Sequence, residues 1–302
     1  MLRPFALRRP TTLPELGALL GEHRDEAALY AGGTELLLLM KEGLVRPRVL
    51  LDVKRVAGLG EVAAADGVVS IGATVSHRTV ERSAAVRASC PLVAGVARHV
   101  ANARVRAAGT VGGNLAFADP HSDLATLFAV FDARIGLWSA AGKREVALAD
   151  FVRGPYETAR RDDEVLTAVR LRPWPAGAAG AYLKFGVYER PTLGVAAVLV
   201  LDAERRHVIE ARLAVGCIGP RPQRLPELEQ RLRGMPAADL TAGSADLAGS
   251  GADAIDAVAD LHGSADYKLE MAQVFTRRAL RVAAARAANQ VIDARYPYTV
   301  VV

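Results

Sequence analysis

Two short stretches place bare backbone beside a hydroxyl: YAGGTELLLLM, Tyr30 to Met40, and AGTVGGN, Ala108 to Asn114. In the first, a strand hands over to a helix through Ala31, Gly32, Gly33, Thr34 and Glu35. The first amides of a helix are unpaired and carry the positive end of its dipole, so a small-residue loop there favours phosphate. Gly32 and Gly33 allow close approach without a Cβ in the way, and Thr34 can cap the helix or bind an oxygen. A strand-to-helix turn also uses glycine for its geometry alone, which leaves this loop with two readings. The second stretch sets Gly109, Gly112 and Gly113 around Thr110 and ends on Asn114, a glycine-lined wall with a hydroxyl and an amide that suits a polyol and a phosphate. Nine residues on, Asp123 in ADPHSDLATLF is placed either to accept from a ribityl or ribose hydroxyl or to stabilise the first turn of the next helix. Asp119, His121 and Asp123 also form a D-x-H-x-D run that could ligate a metal, a reading ranked last because no supporting ligands stand elsewhere.

The elements that must position these groups follow from the patterning. TLPELGALLGEH reads as a helix, EAALYA as a strand, TELLLLMKEG as a helix closed by Gly43 and RPRVLLDV as a strand, together a compact βαβ unit. A mixed α+β stretch follows, with GVVSIGATVS and RIGLWS as strands and PLVAGVARHVA and LATLFAVFDA as helices. From about Gly180 the runs AYLKFGVYE, GVAAVLVLDAE and RHVIEARLAVGCI predict a three-stranded antiparallel meander. The Ala/Gly/Asp-rich stretch from Pro236 to Gly263 fits either small-residue helix or mobile connection. In the last helix Tyr267, Met271, Val274, Phe275 and Val282 fall mostly on one face and predict core. The sharpest break, RPWPAGAAG, lies at Pro173 to Gly180.

Composition narrows the chemistry. The chain has 302 residues, room for two or three packed units and a sizeable buried site. Its 51% hydrophobic and 24% charged content is that of a globular protein. Cys90 and Cys217, far apart and outside any CxxC or Cys/His cluster, encode neither a disulfide framework nor a zinc or iron–sulfur site, so any redox centre must be brought in non-covalently. The net charge of +5 is spread through scattered arginines with no basic run interleaved with aromatics, which reads as a solvated surface and not a nucleic-acid face. No apolar run approaches a membrane span, and the N-terminal residues lack the apolar core of a leader, which predicts a cytoplasmic protein. The dinucleotide fingerprint G-x-G-x-x-G, the P-loop and the hydrolase signatures are all missing, so the chemistry belongs to a bound cofactor.

With these loops in this order, the chain resembles the FAD-binding medium subunit of the molybdenum hydroxylases, the family of aerobic carbon monoxide dehydrogenase and bacterial xanthine dehydrogenase. In that family an AGGT-like loop and a T-[VI]-G-G-N loop clasp FAD from two subdomains. Here they read AGGTELLLLMKEGL and AGTVGGNLAFADPHSDL, and the likeness runs from Phe5 to about Ala288 through DDEVLTAVRLRP, YLKFGVYERPTLGVAAV and YKLEMAQVFTRRAL. The resemblance implies an α+β fold: a two-subdomain FAD-binding domain of the PCMH/vanillyl-alcohol-oxidase type over residues 1–175, split at about 57/58, then a C-terminal domain over 176–302 with a three-stranded antiparallel sheet and a helical bundle. It implies that Ala31, Gly32, Gly33, Thr34 and Glu35, with Thr110, Val111, Gly112, Gly113 and Asn114, hold the pyrophosphate, and that Asp123 meets the ribityl side. Leu166 and Lys184 would lie along the flavin or adenine edge, Lys184 reading equally well as a surface charge on a strand. FAD is then the cofactor of this chain. Molybdopterin belongs to a large partner subunit and the 2Fe-2S clusters to a small one, in a dimer of heterotrimers, with NAD, oxygen or a quinone as acceptor. The cysteine-bearing insertion of the CoA-reductase branch is not in the sequence. A stand-alone FAD oxidase or dehydrogenase and a cofactor-free scaffold are the competing readings.

Overall fold

The computed structural model describes residues 2–186, 190–244 and 255–302. Its first unit is built on β1 (Ala6–Arg8), α1 (Leu13–His23), β2 (Ala27–Tyr30), α2 (Leu36–Lys41) and β3 (Val49–Asp52), with a parallel sheet ordered β1-β3-β2. Helix α1 starts where Thr12 Oγ1 accepts the Glu15 N–H of the first turn at 3.2 Å while the Glu15 carboxylate reaches back to accept the Thr11 N–H at 2.7 Å. Its Leu16 and Leu20, one turn apart, close over Leu51 and Val53. Helix α2 has only six residues, and Gly43 lies just beyond it in the left-handed region at φ 74°.

The second unit carries an antiparallel sheet ordered β4-β5-β10-β6-β7, formed by β4 (Val62–Ala65), β5 (Val68–Gly72), β6 (Arg134–Ser139), β7 (Gly142–Ala147) and β10 (Val165–Leu171). Between β5 and β6 run α3 (His77–Arg82), α4 (Ala84–Ser89), α5 (Pro91–Arg98), α6 (Ala103–Ala108), α7 (Val111–Phe117) and α8 (Asp123–Ala129); α9 (Leu148–Phe151) and the small hairpin β8 (Val152–Gly154) and β9 (Glu157–Thr158) follow β7. The pattern predicts only two of these helices. Of the others, α3, α4, α6 and α7 restart on side-chain caps, at Ser76, Ser83, Asn102 and Thr110, each accepting an amide of the first turn. AGTVGGN is therefore not an open loop. From Val111 onward it is the first turn of a helix.

The third sheet, ordered β14-β13-β12-β11-β15, comprises β11 (Ala179–Phe185), β12 (Leu193–Leu201), β13 (Val208–Gly216), β14 (Gln223–Arg224) and β15 (Thr299–Val301). The expected three-stranded meander is its centre, widened to five by two short strands. Helices α10 (Pro226–Leu232), α11 (Ala237–Ala242) and α12 (Ala265–Ala287) complete this unit. Side chains alternate along a strand, so β12 feeds two cores: Ala196 and Val198 join the core of the second unit, whereas Val195, Ala197 and Leu199 pack with α12. Burial on both faces explains the unbroken apolar run VAAVLVL. Each fully buried Val or Leu there contributes about 1.5–3 kcal/mol. On α12, Phe275 and Val282 are buried, Met271 and Val274 are partly buried against the same core, and Tyr267 turns off the face at 40% exposure. Part of the Ala/Gly/Asp-rich stretch is α11; residues 245–254, and residues 187–189 at the end of the predicted strand AYLKFGVYE, lie outside the described residues.

Candidate functional site

A cleft of about 1050 Å³ runs between the first two units and reaches the third at Arg190. That is the upper end of the range for small-molecule sites and suits an extended ligand. Ala31, Gly32, Gly33, Thr34 and Glu35 all line it, as do Thr110, Gly112, Gly113, Asn114, Asp123 and Leu166. Val111 does not. It is wholly buried in the core of the second unit.

The first loop is the one with amides to offer. Among the described residues, the N–H groups of Gly32, Gly33, Thr34 and Glu35 have no protein acceptor, while the Gly33 and Glu35 carbonyls accept from Leu37 and Leu39 at 3.0 Å. Thr34 leaves the cap position to Glu35, whose side chain does not cap, so among the described residues no side chain caps the positive end of α2. The loop's shape is fixed from below. Lys54 Nζ lies 3.8 Å over the Tyr30 ring, 2.7 Å from Asp52 Oδ1, and donates to the Ala31 carbonyl at 3.0 Å. Gly33 takes φ 72° with the Tyr30 ring where a Cβ would go.

The second loop differs. Val111 N–H donates to Val75 O at 2.9 Å, Gly112 N–H to Ala73 O at 2.9 Å, Gly113 N–H to Thr110 Oγ1 at 3.0 Å and Asn114 N–H to Thr110 O at 2.9 Å. The amides of Val111 to Asn114 are thus answered inside the protein, unlike those of the first loop. Gly32 of the first loop and Gly112 of the second serve close approach between chain segments. A Cβ on Gly32 would strike the Ala108 carbonyl and one on Gly112 would lie 2.7 Å from Ala73 Cα, whereas one on Gly113 would meet only Thr110 Oγ1, at 2.9 Å. Of the three, Gly113 is exposed in the cleft.

Asp123 opens α8 behind its Ser122 cap, at 5% exposure. Tyr182 Oη donates to its Oδ1 at 2.9 Å and Lys184 Nζ to its Oδ2 at 2.7 Å, with a second Lys184 bond to His99 O at 3.1 Å. Tyr182 and Lys184, two apart on β11, present the same face. Gly194 on β12 and Gly216 on β13 leave the space that the Tyr182 hydroxyl and the Thr126 side chain fill. Burial pushes the Asp123 carboxyl upward, opposed by the Lys184 ammonium and the Tyr182 hydroxyl, and burial beside Asp123 pushes the Tyr182 hydroxyl well up. A carboxylate has about four acceptor positions, so Asp123 retains capacity toward the cleft. Lys184 is neither along the cleft nor on the surface: it is 6% exposed and sits behind Asp123 as its counter-ion.

The D-x-H-x-D run disperses to separate partners. Asp119 Oδ2 pairs with Arg190 Nε at 3.0 Å, His121 Nδ1 lies 2.8 Å from Pro191 O and its Nε2 3.4 Å from Asp260, and Asp123 holds Lys184. Two cleft residues escape sequence reasoning. Arg190 bridges Asp119 to Glu35 of the first loop at 3.2 Å, a link across 155 positions that nothing local signals. His77 opens α3 and lines the cleft, and burial, then the Arg106 charge, lower its pKa to about 4. Because the unfolded chain takes up that proton near 6.5, stability falls as pH drops from 6.5 to 4, by about 3 kcal/mol in all. Urea unfolding of the wild type and His77→Leu at pH 7 and pH 4.5 is expected to show a smaller acid loss in the variant.

Unpaired amides at a glycine turn, a polyol-sized cleft and a buried carboxylate define a chain shaped for an extended phosphate-bearing cofactor. The family model for the FAD binding domain in molybdopterin dehydrogenase matches residues 3–174, and that for the CO dehydrogenase flavoprotein C-terminal domain matches residues 188–283. The chain belongs to this family and is an FAD-binding medium subunit of the molybdenum hydroxylase type, an oxidoreductase flavoprotein. It is 32% identical to the carbon monoxide dehydrogenase medium chain of Hydrogenophaga pseudoflava, over 94% of this chain and 98% of that one. It is 31% identical to the nicotine 6-hydroxylase medium subunit of Paenarthrobacter nicotinovorans, over 92% and 96%. The reconstituted CO dehydrogenase of Oligotropha carboxidovorans superposes with a TM-score of 0.88 at 29% identity, covering 95% of this chain and 99% of that chain. No helix among the described residues is long and apolar enough to cross a membrane.

Proposed function

We propose that this chain is the electron-transfer flavoprotein of a molybdenum hydroxylase complex in the cytoplasm. It takes electrons from the 2Fe-2S clusters of a small subunit, fed by a molybdopterin-bearing large subunit, and passes them to an external acceptor such as NAD, oxygen or a quinone. The observation that carries the reading is the run of four first-loop amides without an acceptor among the described residues, in a cleft of about 1050 Å³. Bound FAD supplies the exchange between one- and two-electron chemistry. The chain's own residues bind and orient. The amides of Gly32 to Glu35 are donors for the diphosphate, with the Lys54 ammonium beneath them adding positive charge. Thr110, whose oxygen is held by Gly113 N–H, retains its O–H to donate, and Asp123 accepts from a ligand hydroxyl. Leu166 supplies apolar wall. Val111, Gly112 and Lys184 act from behind, through the packing and charge that hold the wall in place. The proposed organisation is residues 1–175, with an inner division at about 57/58, and residues 176–302, a reading that the spans of the three larger sheets support.

The test is anaerobic reduction of the FAD-loaded full chain. Reduced 2Fe-2S donor protein is expected to bleach the flavin, while aldehydes and N-heterocycles added alone leave it oxidised. Steady turnover of such a substrate by this chain with oxygen would contradict the proposal and support a stand-alone oxidase.

A further inference from the structure

His77 sits in the cleft with a nitrogen that the protein leaves unanswered. Its side chain is 2% exposed, and Nδ1 is buried without a hydrogen-bond partner. The backbone of His77 is fixed by its amide, which donates to Gly109 O at 3.1 Å, and Gly109 lies against the Cδ2–Nε2 edge of the ring, where a Cβ would come within 3.2 Å of Cδ2. Thr74, Val105, Gly109 and Thr110 line the cleft beside it. Buried polar atoms in folded proteins have partners almost without exception, so an orphan in a cleft wall signals an atom that arrives with the ligand.

The chemistry of that atom can be narrowed. Arg106, whose guanidinium donates to Val100 O and Ala101 O at 3.0 and 2.9 Å, adds a positive charge nearby and, with burial, keeps the imidazole neutral. A neutral imidazole presents one N–H and one bare nitrogen and cannot act as the counter-ion of a phosphate. A hydroxyl can answer Nδ1 in either tautomer, because it donates to a bare nitrogen and accepts from an N–H at one atom.

We propose that His77 is a cofactor-binding residue of this cleft, taking a sugar or polyol hydroxyl of the bound nucleotide and not a phosphate oxygen. This rests on the reading of the cleft as the FAD site. The orphan nitrogen costs the empty protein stability, a burden that binding relieves.

The test combines FAD titration with thermal unfolding of the full chain, for the wild type, His77→Leu and His77→Gln. Without FAD, His77→Leu is expected to unfold at or above the wild-type temperature, because an unsatisfied buried nitrogen has been removed. It should bind FAD about tenfold more weakly, the worth of one good hydrogen bond, and the FAD-induced rise in unfolding temperature should shrink accordingly. His77→Gln, which keeps a donor and an acceptor, should recover part of the affinity. The loss should be the same at low and high salt, since no charge is involved. Wild-type affinity in His77→Leu, or a loss matched by lower stability of the FAD-free variant, would overturn the proposal. So would a loss that shrinks with salt, which would mark a phosphate contact. Failure of the wild type to bind FAD would overturn the cofactor reading itself and this inference with it.

Discussion

Lys184→Met is expected to cost roughly 3–5 kcal/mol of folding stability, the usual penalty for removing one partner of a buried ion pair. The ammonium it removes is 2.7 Å from Asp123 Oδ2, and both side chains are almost fully buried. Tyr182 remains, but one hydroxyl does not neutralise a buried carboxylate, so Asp123 takes up a proton instead. The sign of the pH dependence follows. Folding now favours the protonated carboxyl, the folded chain binds more protons than the unfolded one, and relative to wild type the variant loses stability as pH rises. Combining Lys184→Met with Asp123→Asn removes the stranded charge and should recover most of the loss, since an apolar or neutral replacement of a buried pair is often close to neutral. Urea denaturation of the four proteins at pH 5.5 and pH 8 reads this directly. A Lys184→Met variant within 1 kcal/mol of wild type at pH 8 would mean that Lys184 is not the counter-ion of Asp123.

The second large effect separates two adjacent glycines. Gly113→Val should fold and lose at least a hundredfold in FAD affinity, whereas Gly112→Val should fail to accumulate as folded protein. At position 112 a Cβ runs into the Cα and carbonyl of Ala73, backbone that cannot yield without breaking the Gly112 N–H bond to Ala73 O. Position 113 is open toward the cleft except for the Thr110 hydroxyl. A valine there occupies ligand space and keeps the diphosphate from the first-loop amides, forfeiting two or more charge-assisted bonds, roughly 3 kcal/mol or a factor of a hundred. Circular dichroism and FAD fluorescence titration of both variants distinguish the outcomes. A Gly113→Val protein that binds FAD like wild type would remove position 113 from the site.

Much of this arrangement is written locally and some of it is not. The βαβ unit, the meander and the two glycine stretches are legible because each follows from short-range periodicity or a small-residue turn. The division of labour between the two loops is not. The amides of Val111 and Gly112 are spent because Val75 and Ala73, just beyond β5, accept them, a tertiary fact, whereas those of Gly113 and Asn114 turn back on Thr110. Lys184 reads equally as a cofactor-edge residue or a surface charge until Asp123 and the His99 carbonyl close over it. A signal for that burial stands in the sequence: glycine inside a strand marks close approach, and Gly194 and Gly216 lie on β12 beside it and on β13 one strand further on. Tyr182 and Lys184, spaced by two in an otherwise apolar strand, are the other half of that signal. The short helices α3, α4 and α6 go unread because six residues hold too little periodicity, and only their Ser and Asn caps betray them. Arg190 carries no local signal, since its partners lie 155 and 71 positions away by the numbering of Glu35 and Asp119.

The central claim is that this chain holds one FAD in the cleft floored by Gly32 to Glu35. Its most direct test is a titration of the purified full chain with FAD, followed by flavin fluorescence and by recovery of the bound cofactor for mass identification. One FAD per chain, with Gly113→Val folded but empty, is the predicted result. A folded wild-type chain that takes up no FAD would contradict the account and leave the two glycine stretches as packing devices alone.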